Sequence, residues 1–321
     1  MTAAKTVGLI HSEKKLAQIR FDLLQEMTSA SNIRLILLDL GKPLEEQEPI
    51  DLLVHKVTDL YAKMLRGDKE TEICFKRFQA FCSSHPHIPV IDPWQDIEKV
   101  LDRAKISACL EACAVDATGE RLFNVPWSVS LDSLYDPAMQ SLDIPFPIVC
   151  KRKSACSSVE AHQMTLIPSR QALAGVQGFG TDEPVFLQQF IPHSGVLIKV
   201  YVIDGTPHIS TRPSLKNTQD MAVTFDSQKL PKSFEAVSQD GAIEFGLGEE
   251  RTIVESQINY ERIQKITQQL HRELGLTLFG FDVLLASATH LYYIIDVNYF
   301  PSFQNVEHYP RLFCDLIKRR L

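Results

Sequence analysis

The chain lacks any cysteine pattern that would staple a fold or bind zinc. Its seven cysteines, Cys74, Cys82, Cys109, Cys113, Cys150, Cys156 and Cys314, are odd in number and form no Cys-x-x-Cys pair. Free thiols in a reducing cytosol are therefore expected. No apolar run approaches the length of a membrane span, and the opening MTAAKTVGLIHSEKK returns to charge after a short apolar stretch. No membrane partner is expected, and the cytoplasm is the expected compartment. A basic excess is also missing. Lys+Arg number 33 against 40 Asp+Glu, a net charge of −7, which disfavours nucleic-acid partners. An anionic ligand must then be held by a local basic site. Internal repeats and low-complexity tracts are absent as well. What remains is the composition of a soluble globular protein, 45% apolar and 23% charged, and 321 residues exceed one typical core. Two or three domains and a monomeric chain are expected.

What the chain does have is an apolar stretch near its end, Thr277 to Ser302. Two runs rich in β-branched and aromatic residues, Leu278 to Leu285 and Leu291 to Val297, flank an Ala-Ser-Ala-Thr turn and predict a hairpin of largely buried strands. Asp282 interrupts the first strand, and Asp296 with Asn298 ends the second. Side chains alternate faces along a strand, so Asp296 and Asn298 point to one side, where an antiparallel partner can bring Asp282 beside them. Two carboxylates in such apolar surroundings are unfavourable by several kcal/mol without a cation. An all-oxygen set with one amide suits Mg²⁺, which shares its shell with waters and phosphates. From spacing alone, the alternative is a turn cap at Asp296 and a solvated Asp282.

Ahead of this hairpin, Thr6 to Ile10, Ile33 to Leu40, Asp51 to Val57 and Ile88 to Ile91 read as strands. Helices over Glu13 to Met27 and Thr58 to Phe81 alternate with them, predicting a small parallel α/β domain. Such sheets place ligands at the carboxyl ends of their strands, near Lys14, Lys15, His55 and Lys56, although on their own these lysines read more plainly as a solvated helix start. A helix is predicted over Pro93 to Ala114, then strands over Pro145 to Arg152, His162 to Ile167, Val185 to Phe190 and Val196 to Asp204. Lys151 opens the basic run Lys151-Arg152-Lys153 ahead of a glycine-free loop of small polar residues, a cover for phosphates or, as such runs more often are, plain surface. Lys199 interrupts an apolar strand, where a lone lysine is costly to bury unless it meets an anion. STRPSLKNT supplies Arg212, Ser214, Lys216 and Asn217, donors suited to polyanions, or otherwise an edge strand and turn with solvated charges. Residues 218 to 256 read as polar and irregular. Asn259 to Leu274 is an amphipathic helix with Ile263, Ile266, Leu270 and Leu274 on one face, and a last helix covers Val306 to Arg320.

The order of these pieces resembles the ATP-grasp fold. More closely, the chain resembles the inositol-tetrakisphosphate 1-kinase family, also called inositol 1,3,4-trisphosphate 5/6-kinases. The resemblance rests on SEKK at 12–15, DLLVHKVTD at 51–59, LDRAK at 101–105, AHQM at 161–164, QQFIPHSGVLIKVYV at 188–202, RPSLKN at 212–217, LFGFDVL at 278–284 and DVNYFP at 296–301. It implies an α/β (α+β) ATP-grasp protein in three parts: an N-terminal inositol phosphate-binding domain over 1–95, a central subdomain over 96–190 and a C-terminal subdomain with the metal site over 191–321. The implied reaction moves the γ-phosphate of ATP to a hydroxyl of a soluble inositol polyphosphate, with Mg²⁺ on Asp282, Asp296 and Asn298. Lys15, Lys56, His162, Lys199, Asn298 and Ser302 would bind the inositol phosphate. Arg103, Lys151, Gln188, Gln189, Phe190, Ile191, Ser214 and Ser227 would bind ATP, and Lys199, Arg212 and Asp296 would serve the transfer. Two departures stand out: the family's loop glycine is replaced by Cys156-Ser157, and the glycine after its Asn-x-Phe-Pro motif by Ser302. A non-catalytic inositol phosphate-binding protein and an ATP-grasp carboxylate ligase are the rival expectations. The cluster of Lys15, Lys56, Lys199 and Arg212 argues against the singly charged substrate of a ligase.

Overall fold

Short apolar strands alternate with helices at the start of the chain. In the computed structural model, which describes residues 4–155, 162–176, 178–215, 217, 221–234 and 249–321, Lys5–Ile10 (β1), Ile33–Leu37 (β2), Leu52–His55 (β3) and Val90–Ile91 (β4) pair in parallel in the order β2-β1-β3-β4. Parallel neighbours need a crossover, and the intervening helices supply it. β1 and β3 are buried along nearly their whole length because helices cover both faces of the sheet.

Three of the expected helices are broken. Glu13 to Met27 is two helices, Glu13–Gln18 and Phe21–Ser29, parted at Arg20, whose φ is 54°. No glycine marks this break; fully buried Ile19 and Leu24 on either side show packing overriding local preference. Thr58 to Phe81 breaks at Gly67, with φ 88°, and restarts as Lys69–Ser84 where the Asp68 carboxylate accepts from the amides of Glu70 and Thr71. Pro93 to Ala114 becomes Trp94–Ile97, a 3₁₀ turn, and Arg103–Ala112, which is capped by Asp102.

Ser128–Leu131 (β5), Ile148–Arg152 (β6), Gln163–Ile167 (β7) and Val185–Gln189 (β8) form a second, antiparallel sheet. Val196–Ile203 (β9) and Thr206–Pro213 (β10) begin a third. Val223–Asp226 (β11) returns to pair with β7, so the second sheet is ordered β11-β7-β6-β8-β5. Leu278–Leu285 (β12) and Tyr292–Tyr299 (β13) complete the third sheet, β10-β9-β12-β13. β13 runs past Val297, so Asp296 and Asn298 lie within the strand and do not end it. The stretch 218–256, expected to be irregular, contains β11 and the helix Glu249–Ser256. The last helix starts at Tyr309, not near Val306.

One apolar core joins the first sheet to the third, Val7, Leu9 and Val54 packing in the same cluster as Val200, Phe281 and Phe313. The second sheet has its own core around Ile148, Cys150, Ile167 and Leu187. The second sheet therefore stands apart from a body made of the other two, and the space between them is a cleft. The loop carrying Cys156-Ser157 and the residue Lys216 lie outside the described residues. The six described cysteines are free thiols. Among the described residues no helix is long and apolar enough to cross a membrane.

The helix before the hairpin matches its pattern. It spans Tyr260–Leu274, with the Asn259 carbonyl oxygen Oδ1 accepting from the Arg262 amide and Ile263, Ile266, Leu270 and Leu274 buried. It ends at Gly275, φ 74°, where a Cβ would stand 2.8 Å from the Asp96 carboxylate. Asp96 accepts from Lys99, which also donates to the Leu274 carbonyl, so the helix end is pinned to the helical turns that follow β4. Gly275→Ala should cost roughly 1–3 kcal/mol from left-handed strain and this collision. Chemical denaturation would measure it, and an additional Asp96→Ala should recover part of the loss.

Candidate active site

The hairpin sets the site by register. Gly280 faces Asn298 and Asp282 faces Asp296 across β12 and β13; Asp282 faces Lys199 on β9, and Lys199 faces Ser210 on β10. One row across four strands thus reads Ser210, Lys199, Asp282, Asp296, on a single face of the sheet. Beyond Asp282 the pairing slips, Val283 facing Ile294, and the bulge leaves Ile295 without a partner on β12. The Ile295 carbonyl instead accepts from Gln188 Nε2 at 3.4 Å, tying the second sheet to the third.

Lys199 Nζ donates to Asp282 Oδ1 at 2.6 Å, and an Arg212 guanidinium nitrogen lies 3.9 Å from Oδ2. The anion that makes the burial of Lys199 tolerable is therefore Asp282. Burial alone would raise the Asp282 carboxyl, but Lys199 and Arg212 outweigh it and hold the group below its usual range. Asp296 receives Asn298 Nδ2 at 3.1 Å and Arg103 at 3.4 Å. Because the Asn298 nitrogen faces Asp296, its carbonyl oxygen is left for another partner. Lys151, 5% exposed, donates to Gln188 Oε1 at 2.6 Å, and burial together with Arg103 lowers its ammonium to about 8. Four cations gathered around two carboxylates leave a positive surplus that suits a polyphosphate. The two carboxylates and the amide oxygen form a hard, all-oxygen set that fits a divalent cation. Among the described residues no cluster of three His, Cys, Asp or Glu offers another.

These groups line a cleft of about 410 Å³ between the second and third sheets. Its walls include Arg103, Lys151, the strip Gln188 to Ile191, Ser214, Ser227 and the apolar Leu215, Phe225 and Leu230. A second cleft of about 350 Å³ adjoins it, edged by Ser12, Lys14, Lys15 and Thr58. Lys56, His162, Asn298 and Ser302 line both. Every residue assigned by resemblance to metal, nucleotide or inositol phosphate thus lines one cleft or the other, whereas His55 is buried away from both, its Nε2 2.8 Å from the Asp92 carbonyl.

Several are held differently from expectation. Lys15 Nζ donates to the carbonyls of Phe300 (2.9 Å) and Pro301 (2.7 Å) and sits 3.8 Å over the Phe300 ring. Lys56 Nζ donates to Phe300 at 2.9 Å and Tyr299 at 3.3 Å. The two lysines clasp the end of β13, and burial lowers both ammonium groups, most strongly Lys15, which also feels Lys56. Burial and Arg103 likewise lower His162. Asn217, expected to donate to a polyanion, instead accepts through Oδ1 from the amides of His193 (2.7 Å) and Ser194 (3.1 Å), bracing the connector after β8. His193 itself was not anticipated, nor were Phe225, Leu230 and Lys232. The alternating Val-Thr-Phe-Asp of β11 is the signal that could have placed Phe225. Nothing local marks Lys232, whose ammonium is lowered by burial and by Arg212.

The Lys199–Asp282 pair carries a stability consequence. Lys199→Met strands a buried carboxylate with only the more distant Arg212 and Lys151 to offset it, and should cost about 2–4 kcal/mol. Adding Asp282→Asn should restore much of that. Denaturant titration of the four-member cycle gives the coupling, and simple additivity would mean that the pair is not a buried one.

The geometry converges with what the chain is similar to. Residues 120–319 match the model of the inositol 1,3,4-trisphosphate 5/6-kinase ATP-grasp domain, and residues 6–97 match that of the same family's pre-ATP-grasp domain. An inositol-tetrakisphosphate 1-kinase of Danio rerio is 30% identical, the alignment covering 98% of this chain and 77% of the relative. The enzyme of the same name from Xenopus laevis is 28% identical with the same coverage. Among solved structures, D-alanine–D-alanine ligase from Bacillus anthracis superposes with a TM-score of 0.60 at 14% identity, over 99% of this chain and 97% of that one. ATP-grasp ligase PsnB does so with 0.59 at 12% identity, over all of both chains. The ligases share the ATP-grasp fold, whereas the matched models cover most of this sequence from its first sheet to its last helix, and by them the chain belongs to the inositol 1,3,4-trisphosphate 5/6-kinase family.

Proposed function

We propose that this protein transfers the γ-phosphoryl group of ATP directly to a hydroxyl of an inositol polyphosphate. The observation that carries this reading is the junction of the two clefts. The larger offers an apolar slot and a polar linker edge for a nucleoside, with cations deeper in. The smaller is edged by Lys14, Lys15 and Lys56 and suits a ligand with several phosphates. The two meet at Lys56, His162 and Asn298, beside the carboxylate row.

In this assignment the backbone of Gln188, Gln189, Phe190 and Ile191 meets the adenine, and Ser227 lies along the nucleotide. Arg103 and Lys151 hold its phosphates. Asp282, Asp296 and the Asn298 carbonyl hold Mg²⁺, which neutralises phosphate charge when bound. Lys15, Lys56, His162, Asn298 and Ser302 grip the inositol phosphate. Lys199 exchanges part of its bond to Asp282 for substrate phosphate, and Arg212 stabilises charge on the moving group. Phosphoryl transfer asks mainly for positioning and charge stabilisation, which these groups supply. The cations of the smaller cleft disfavour a carboxylate ligase, whose acceptor carries one negative charge.

Single-turnover incubation with γ-labelled ATP and a panel of inositol tris- and tetrakisphosphates should move label to the inositol ring. Asp296→Asn should abolish transfer while leaving the fold intact. Binding of both ligands without transfer would favour a non-catalytic binding protein, and transfer to a carboxylate would favour a ligase.

A second expectation concerns pH. In the free protein Lys151 loses its proton near pH 8, because burial disfavours its charge, and bound phosphates favour that charge. ATP affinity should therefore fall as pH rises through about 8, and Lys151→Met should flatten this part of the profile. Nucleotide titrations between about pH 7 and 9.5 would decide.

A further inference from the structure

His193 sits in the connector after β8, 2% exposed, with both ring nitrogens engaged. Nδ1 lies 2.7 Å from the Ile191 carbonyl, and Nε2 lies 2.8 Å from Ser214 Oγ. A carbonyl oxygen can only accept, so Nδ1 carries the ring proton. The ring is neutral, since burial lowers it to about 4. Nε2 is then a bare lone pair, and only the Ser214 hydroxyl can supply the proton of that bond. Ser214 faces the larger cleft with its proton committed inward. What it presents to a ligand is acceptor lone pairs.

An ionised phosphate oxygen is also only an acceptor, so it cannot bond Ser214 in this state. The position of Ser214 just past the end of β10 agrees. Ser210 stands in the row of Lys199 and Asp282, whereas Ser214 is four residues further on, ~13 Å at about 3.3 Å per residue. Ser214 also lies beside the linker, its amide donating to the Gly195 carbonyl at 2.7 Å. This is the nucleoside end of the cleft.

We propose that His193 is a positioning residue that polarises Ser214 into an obligate acceptor, so that Ser214 selects a hydrogen-bond donor on the nucleoside, a ribose hydroxyl or the adenine amine, and not a phosphate. The proposal rests on the assignment of the larger cleft to ATP. It reverses the polarity expected of Ser214 from the sequence, where it stood among donors for a polyanion.

The test compares Kd values for ATP, 2′-deoxy-ATP, 3′-deoxy-ATP and purine riboside triphosphate, which lacks the amine. Wild type should bind one of the three analogues about two- to tenfold more weakly than ATP, the worth of one neutral hydrogen bond. Ser214→Ala should bring that ratio close to one, and the analogue concerned identifies the donor. His193→Leu should also erase the ratio, while His193→Gln, whose amide oxygen can accept from Ser214, should keep part of it. A merely structural role would weaken all four nucleotides alike and leave the ratio intact, which overturns the proposal. So does a Ser214→Ala loss seen with ATP but absent with AMP, since that locates Ser214 at the phosphates. Should His193→Leu not fold, Ser214→Ala carries the comparison alone. Failure of wild type to bind ATP at all would instead remove the nucleotide assignment beneath it.

Discussion

The structure depends on a charge that must be buried. Asp282 lies within a strand whose eight residues are all buried, and a lone carboxylate there would cost several kcal/mol. Lys199 offsets this from the adjacent strand at 2.6 Å, with Arg212 further out. Register keeps the pair together: a one-residue slip of β9 against β12 would send Lys199 to the opposite face. Because one face of this sheet packs into the main core, that slip would also turn Ile198 and Val200 outward. Apolar packing therefore specifies the register, and the register delivers the ion pair. A catalytic floor with excess cations is the by-product of stabilising one anion from several sides.

The same economy joins the first sheet to the hairpin. Lys15, in the helix that follows β1, and Lys56, just past β3, use their ammonium groups to satisfy carbonyls beyond the end of β13. Those carbonyls belong to a stretch where Phe300 has φ 41°, outside the strand ladder and in need of donors. Both lysines are held in a low-dielectric setting that disfavours their charge. They are thus available to an anion that competes with neutral carbonyls, since charge-assisted bonds to phosphate are the stronger. The edge of the smaller cleft and the end of β13 are thus joined through these two side chains.

The linker region shows how hydrogen-bond accounting decides chemistry. Asn217 and the His193–Ser214 bond hold the connector between β8 and β9 in place. Ser194 adopts φ 55° there, and the bracing of its own amide and that of His193 by Asn217 offsets that strain. Residues that look like ligand donors in a sequence can be spent on the scaffold, and only their bonded partners reveal it.

Much of the fold was legible because it rests on local pattern. Apolar runs and helical spacing located β1, β3, β9 and β12, and an Asn cap with an amphipathic face located the helix Tyr260–Leu274 almost to the residue. The hairpin alternation put Asp282, Asp296 and Asn298 on one face, and a strand lysine in apolar company announced a buried anion. The breaks at Gly67 and Asp102 also had local signals, whereas Arg20 had none. By itself the sequence determined which strand positions carry carboxylates, amides and cations on a shared face, since alternation and periodicity depend on near neighbours alone. Which of them meet was decided by tertiary structure. Lys199 and Asp282 are 83 residues apart, and Lys15 and Phe300 are 285 apart. The joining of two clefts at Lys56 and the direction of the Ser214 proton likewise follow from sheet order and from one histidine's burial. These depend on register and on the packing of distant elements, for which no short-range pattern exists.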